Sequence, residues 1–179
     1  MTKREDLAQR ATDYVLEHGL IGLSLRPLAA ALGTSDRMLI YHFGSKDELI
    51  ATVLATSNER SMRIVRAMPR SASVRAAIVE LWDVFTSTKL EACQRMYVEA
   101  AALGLFGREP YVGSVRASNQ VWLEAITEHL RNAGASADRA GRLAAIVDAA
   151  INGLLFDRPL DTDEAEARRV IEDLAAALG

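Results

Sequence analysis

Apolar side chains recur at spacings of three and four along nearly the whole chain, and the rhythm breaks at glycine, proline and short polar runs. That period belongs to helices buried on one face. Thr2-Lys3-Arg4-Glu5 has the form of a capping box, and Leu7, Ala8, Ala11, Tyr14 and Val15 then make one stripe that stops at Gly19. Ser24 is placed to cap a second helix, with Pro27 in its first turn, where a missing N–H does no harm. Leu25, Leu28, Ala29 and Leu32 form its inward face and Gly33 ends it. Thr34 or Ser35 caps a third, short helix through Phe43, with Leu39 and Phe43 facing inward. Ser45-Lys46-Asp47-Glu48 repeats the capping-box form and opens a fourth helix that runs to about Ala67, before Pro69. At 1.5 Å per residue this helix spans roughly 33 Å.

Beyond Pro69 the pattern predicts amphipathic helices near Ser73–Leu90, Ala92–Phe106, Val112–Asn132, Ala137–Phe156 and Asp163–Leu178, broken at GREP, NAGAS and DRPLDTD. No repeat, low-complexity tract or flexible linker interrupts them. The expected fold is all-α. A three-helix module over residues 1–46 is joined by the long helix to a helical body over residues 47–179.

Composition changes this picture little. The chain has 179 residues, half of them hydrophobic, which is enough to bury a core. The single cysteine, Cys93, excludes an internal disulfide framework and suits a reducing compartment. The N-terminus has no apolar run of signal-peptide length and no window approaches a membrane span, so a cytoplasmic protein without a membrane partner is expected. Net charge is −3, and Met1 to Ile50 carries six cations against seven acids. Neither figure points to a polyanion. Only Ser24 to Lys46 is basic, with Arg26, Arg37 and Lys46 against Asp36.

Position carries more than composition. Two short helices separated by Gly-Thr-Ser have helix-turn-helix spacing, in which the second helix can lie in a DNA major groove. Any small helical bundle contains such pairs, so the side chains must decide. With Leu39 and Phe43 turned inward, the other side of the third helix offers Asp36, Arg37, Met38 and Tyr41. Arginine can bond guanine O6 and N7 together, and a tyrosine hydroxyl suits a phosphate. Lys46 opens a helix where the dipole disfavours a cation, unless an anion such as a DNA phosphate meets both. The plainer alternative is a solvated lysine leaning on Asp47 or Glu48.

The stretch LRPLAAALGTSDRMLIYHFGSKDEL resembles the helix-turn-helix signature of TetR-type transcriptional regulators. Leu28-Ala29, Gly33, Ser35, Leu39, His42-Phe43 and Lys46 fall in register over about the first 50 residues. The resemblance implies an N-terminal DNA-binding domain, a ligand-binding body and a homodimer built by the last two long helices. It implies phosphate contacts by Ser24, Tyr41, His42 and Lys46 and base reading by Ser35, Asp36, Arg37 and Met38, within a contact set that includes Arg26 and Thr34. Two departures bear on the operator. Arg37-Met38 stands where small residues are usual, and Ile40 replaces the first of two aromatics, leaving Tyr41 to supply the hydroxyl.

In the body, Trp82, Phe85, Met96, Tyr97, Phe106 and Trp122 are candidates either for core or for a ligand pocket between helices. Glu99 is the only charge from Met96 to Phe106, and such a carboxylate needs a partner: a cationic or hydroxylated ligand, or Arg95, Arg108 or solvent. Asp148 is the sole charge from Leu143 to Phe156, with Asn152 one turn on, in a helix rich in small residues. With Leu143, Val147 and Ile151 beside them, and Val170, Leu174 and Leu178 on the last helix, they make a candidate homodimer seam. His18, His42 and His129 lack metal-ligand spacing, and no phosphate loop, nucleophile elbow or zinc motif occurs, so no metal, cofactor or catalytic residue is expected. The resulting expectation is a repressor released from double-stranded operator DNA by a small-molecule effector. The alternative is a helical small-molecule-binding protein or enzyme whose helix-turn-helix is purely structural.

Overall fold

The computed structural model describes residues 2–161 and 163–179, apart from the side chains at positions 158, 159 and 161. The described residues form helices and connecting turns with no strand: α1 (Lys3–His18), α2 (Leu25–Ala31), α3 (Asp36–Phe43), α4 (Lys46–Arg66), α5 (Val74–Phe85), α6 (Thr88–Leu105), α7 (Tyr111–Asn132), α8 (Ala137–Asp161) and α9 (Glu164–Leu178). The all-α expectation is met. Packing divides the chain into two units, one of Met1–Ser61 with Ala92–Ser118 and the other of Met62–Glu91 with Asn119–Gly179. The divisions fall within α4, between α6's first turn and the rest of it, and within α7.

The first unit is built on one apolar core. Leu7, Ala11 and Val15 from α1, Leu28 from α2, Leu39 and Phe43 from α3, Leu49 and Val53 from α4, and Met96 and Ala100 from α6 all enter it. The ends of its helices are set locally. Thr2 and Glu5 complete the capping box of α1, and Ser35 caps α3 by accepting from the Met38 amide. Gly19, Gly33 and Gly44 each take a positive φ just past a helix end, where a side chain would be strained. Ser24 occupies the N-cap position of α2, but its hydroxyl makes no capping bond.

The second unit packs α5 against α9 and α8, with the C-terminal turns of α7 completing its core. Ile78, Leu81, Ile126, Leu130, Val147, Ile151 and Ile171 are fully enclosed there. Two connections differ from the sequence pattern. Helix α5 ends at Phe85, because the Thr86 and Ser87 hydroxyls donate back to the carbonyls of Trp82 and Val84 and close off the turn. Helix α8 runs on through the expected DRPLDTD break as far as Asp161. Of that stretch, Thr162 lies outside the described residues.

A buried polar cluster joins the α4–α5 connection to two helices. Ser71 Oγ donates to Glu80 Oε2 on α5 and lies 3.1 Å from His129 Nε2 on α7. With its proton given to Glu80, the serine oxygen accepts from a neutral His129 carrying its proton on Nε2. Burial lowers the His129 pKa below its usual 6.5, and the Glu80 charge opposes this in part. The unfolded chain therefore binds a proton more readily, so stability should fall as pH drops from above 6.5 towards the depressed folded value. Urea unfolding midpoints between pH 7.5 and 5 should show this loss. His129→Gln should flatten that part of the profile, and an unaltered profile in the variant would assign the slope to other groups.

Candidate nucleic-acid interface

Helix α3 needs only Leu39 and Phe43 for packing, and both are enclosed in the first core. The remaining surface of the helix is open. Ser35, Asp36, Arg37, Met38, Ile40 and Tyr41 are exposed, Tyr41 at 77%. Spacing places Arg37 and Tyr41 one turn apart on the same side. Asp36 Oδ1 accepts from the Arg37 amide at 2.9 Å, which leaves the Arg37 guanidinium free to extend. His42 is half-buried and meets the Tyr41 ring edge-on, with centroids 5.2 Å apart. Thr34, half-buried, donates its amide to the Ala29 carbonyl across the turn.

Two arginines of α1 hold this helix pair, and the sequence pattern gave no sign of them. Arg10 Nη2 donates to the Leu32 carbonyl at the end of α2, at 2.7 Å. Arg4 Nε donates to the His42 carbonyl near the end of α3, and its guanidinium carbon lies 5.3 Å from the centre of the Phe43 ring. Both act on carbonyls that a helix end leaves unpaired, so they fix the angle of α3 without touching its outer face. Their partners are backbone atoms and leave no trace in residue spacing.

Lys46 is exposed at the start of α4, and neither Asp47 nor Glu48 takes it. Its Nζ donates to the Leu23 carbonyl, which sets it beside Ser24 at the start of α2. Ser24 and Arg26 are exposed, and the Ser24 hydroxyl stays uncommitted for lack of a capping bond. Arg37, Met38 and Tyr41 on α3 and the Ser24–Lys46 pair thus belong to one compact helix-turn-helix head. Tyr111, on α7 in the same unit, has its pKa raised by burial and by the Asp47 charge, so it stays protonated.

Of the residues assigned to a ligand pocket, Trp82, Phe85 and Trp122 belong to the second unit and Met96, Tyr97, Glu99 and Phe106 to the first. Trp82 and Phe85 are buried in the second unit, where Phe85 packs on Trp122 with ring centroids 4.8 Å apart. Met96 is buried in the core of the first unit and Tyr97 is half-buried there. Phe106 is 80% exposed just past α6, and so lines nothing within its own unit. Glu99 has backbone partners, its Oε2 accepting from the amides of Leu20 and Ile21 at 2.6 and 2.7 Å.

Of the dimer candidates, Leu143, Val147 and Ile151 are buried within the second unit's own core. Leu174 and Leu178 are half-buried, the latter against the same core, and Val170 is exposed. Asp148 and Asn152 are half-buried; burial raises the Asp148 pKa and the Asn152 hydrogen bond opposes it. A second face of α8 is open instead. Ala145, Ile146, Ala149, Gly153, Phe156 and Leu160 follow one another at helical spacing, with Phe156 54% and Leu160 72% exposed.

The exposed third helix, held on two others and flanked by a lysine at the next helix start, defines a helix-turn-helix DNA-binding head. Residues 7–53 match the family described as bacterial regulatory proteins, tetR family. The whole chain superposes on solved structures of such proteins. A transcriptional regulator from Rhodococcus sp. Rha1 is 20% identical, with a TM-score of 0.80 over 99% of this chain and 96% of that one. A TetR transcription regulator from Haloarcula marismortui ATCC 43049 is 20% identical, with a TM-score of 0.77 over 98% and 97%. The multidrug binding protein EbrR, solved with imidazole and also with proflavin, is 25% identical, with a TM-score of 0.68 over 97% and 95% in the imidazole complex. A comparison with curated protein sequences found no match. Residues 7–53 thus carry the helix-turn-helix of the tetR family, and the chain as a whole shares the fold of these solved regulators.

The two serines of the head should behave differently on removal. Ser35→Ala should cost about 1 kcal/mol of stability, because a capping bond is lost. Ser24→Ala should change stability by less than about 0.5 kcal/mol, as for a surface substitution. Denaturant titration of both variants checks this, and equal losses would mean that Ser24 caps α2 in solution.

Proposed function

We propose that this protein is a repressor that binds a palindromic operator as a homodimer and leaves it when a small molecule binds the body. The observation that carries the reading is the free outer face of α3, where Arg37 and Tyr41 project with Lys46 and Ser24 alongside. Arg37 reads bases, with Ser35, Asp36 and Met38 near the same edges. Ser24, Arg26, Thr34, Tyr41, His42 and Lys46 serve the sugar-phosphate backbone. Residues 1–46 then act as the DNA-binding domain and residues 47–179 as the regulatory body. DNA recognition has its place in the cytoplasm, and no catalytic role is assigned.

Two observations support the rest. EbrR, similar over nearly the whole chain, is a multidrug binding protein complexed with imidazole and with proflavin, which supports a small-molecule effector here. The open α8 face is apolar and lined with small residues, and Val170 on α9 is exposed as well. Such a surface suits a two-fold seam with a second copy. Two heads in one dimer would then enter successive major grooves some 34–36 Å apart.

Binding to the gene's own upstream DNA and to scrambled duplexes, measured over a range of salt, tests the reading. Lys46→Ala should weaken binding to every sequence and lower the salt slope by about 1, whereas Arg37→Ala should relax preference at one position by about 1–3 kcal/mol. An Arg37→Ala variant that lost affinity equally for all duplexes would remove its base-reading role. Wild-type protein that bound neither duplex in a salt-dependent way would leave a helical small-molecule binder.

The seam is tested separately. Phe156→Glu should turn a dimer into a monomer in sedimentation equilibrium and weaken operator binding at least tenfold. A variant that remained dimeric would place the interface elsewhere.

A further inference from the structure

Helix α1 ends at His18, and Gly19 donates to the Val15 carbonyl in the ordinary way. The next bond of the ladder would run from the Leu20 amide to the Leu16 carbonyl. Both of its atoms have other partners, and both partners come from α6. Glu99 Oε2 accepts from the Leu20 amide at 2.6 Å, and from Ile21 at 2.7 Å. Arg95 Nη2 donates to the Leu16 carbonyl at 2.5 Å. Arg95 and Glu99 stand four residues apart on α6, the same separation as Leu16 and Leu20 on the bond they replace. The carboxylate also fills the space beside Gly19, 3.4 Å from where a Cβ would stand, and Gly19 has a φ of +89°.

These are charge-assisted bonds to main chain, the strongest kind available to a partly exposed pair of side chains. They act on the segment that leads from α1 into α2. That segment also carries Leu23, whose carbonyl holds Lys46. The path from Glu99 to the proposed DNA surface is therefore short: Leu20 and Ile21, then Leu23 with Lys46, then Ser24 at the head of α2.

We infer that Glu99 and Arg95 are positioning residues for DNA binding: by standing in for the next hydrogen bond of α1, they hold the α1–α2 turn at the geometry in which Ser24 and Lys46 meet a phosphate. This rests on the DNA-binding reading above. It also makes the turn dependent on where α6 stands, because a displacement of that helix carries both side chains with it.

The test uses the full chain and, as probe, a duplex selected from a random-sequence pool by the wild-type protein. Glu99→Leu removes the acceptor, Glu99→Gln keeps one carbonyl oxygen able to take both amides, and Arg95→Met removes the donor at similar length. In Glu99→Leu, amide exchange at Leu20 and Ile21 should quicken at least tenfold while exchange within α5 stays as in the wild type. Affinity for the selected duplex should fall about tenfold and the salt slope should drop by up to about 1, as Lys46 loses its hold on a phosphate. Glu99→Gln should restore most of the affinity, and Arg95→Met should show a smaller loss in the same direction. If Glu99→Leu does not fold, Arg95→Met and Glu99→Gln carry the same comparison. Wild-type exchange at Leu20 and Ile21 in the variants, or faster exchange there with undiminished affinity, would overturn the inference. Failure of the wild type to select any duplex would remove the DNA-binding reading instead, while the exchange rates would still report whether α6 holds the turn.

Discussion

Guanidinium groups set on the free carbonyls of helix ends hold this structure in register. An α-helix leaves its last four carbonyls without partners and gathers negative charge there. Arg95 takes Leu16 near the end of α1, Arg10 takes Leu32 at the end of α2, and Arg4 takes His42 near the end of α3. In the second unit, Arg70 takes Asn132 at the end of α7 and Arg139 takes Leu178 at the end of α9. In each case the arginine comes from another element. The planar, always charged group presents several donors and stays bonded where a lysine would swing away. Interaction with an exposed helix end contributes about 0.3–1 kcal/mol apiece. Their larger role is geometric, because each bond fixes one helix end against a neighbour.

The apolar cores and these bonds divide the labour. Burial decides which face of a helix turns inward, and is tolerant of sliding along the axis. A hydrogen bond to a carbonyl decides how far along the axis the helix stands, and fails within about 1 Å of displacement. Helix α3 shows both controls at once. Leu39 and Phe43 anchor its inner face, while Ser35 at one end and Arg4 at the other set its position. No outer side chain is needed to keep it in place. This is why Arg37 and Tyr41 can remain fully available, and why a chain of net charge −3 can still present cations where DNA would lie. Arg4 and Arg10 are committed to carbonyls of the head, while Arg26 and Arg37 and a shared Lys46 stay exposed.

Features encoded by neighbouring residues were legible from the sequence. The Thr2–Glu5 box, the Ser35 cap and the stops at Gly19 and Gly33 are local chemistry, and each lies where the pattern put it. Helix α3 was legible for the same reason, since two inward residues at i and i+4 leave a definite outer face. Features that pair distant backbone with side chain were not. The odd position of Glu99 in an apolar run was a true signal, yet its partners lie 79 and 78 residues away and are amides, which every residue has. Helix α8 leaves its face assignment open for another reason. It is apolar on two sides, one made by Leu143, Val147 and Ile151 and the other by Ile146, Ala149 and Phe156, and periodicity cannot say which side its own unit will cover.

The same division of labour constrains how a regulator of this build can respond. Met96 and Ala100 on α6 pack into the first core, and such contacts survive a small shift of the helix. The bonds from Glu99 and Arg95 do not, because bonds of 2.5–2.7 Å have little length to spare before they are lost. A modest movement of α6 would therefore leave the head folded and release its α1–α2 turn. Any effector that acts this way can shift the balance only by its difference in affinity for the held and released states. On the proposed reading, a few polar bonds on a fixed core would define the DNA-competent geometry while leaving it within reach of an effector's difference in affinity.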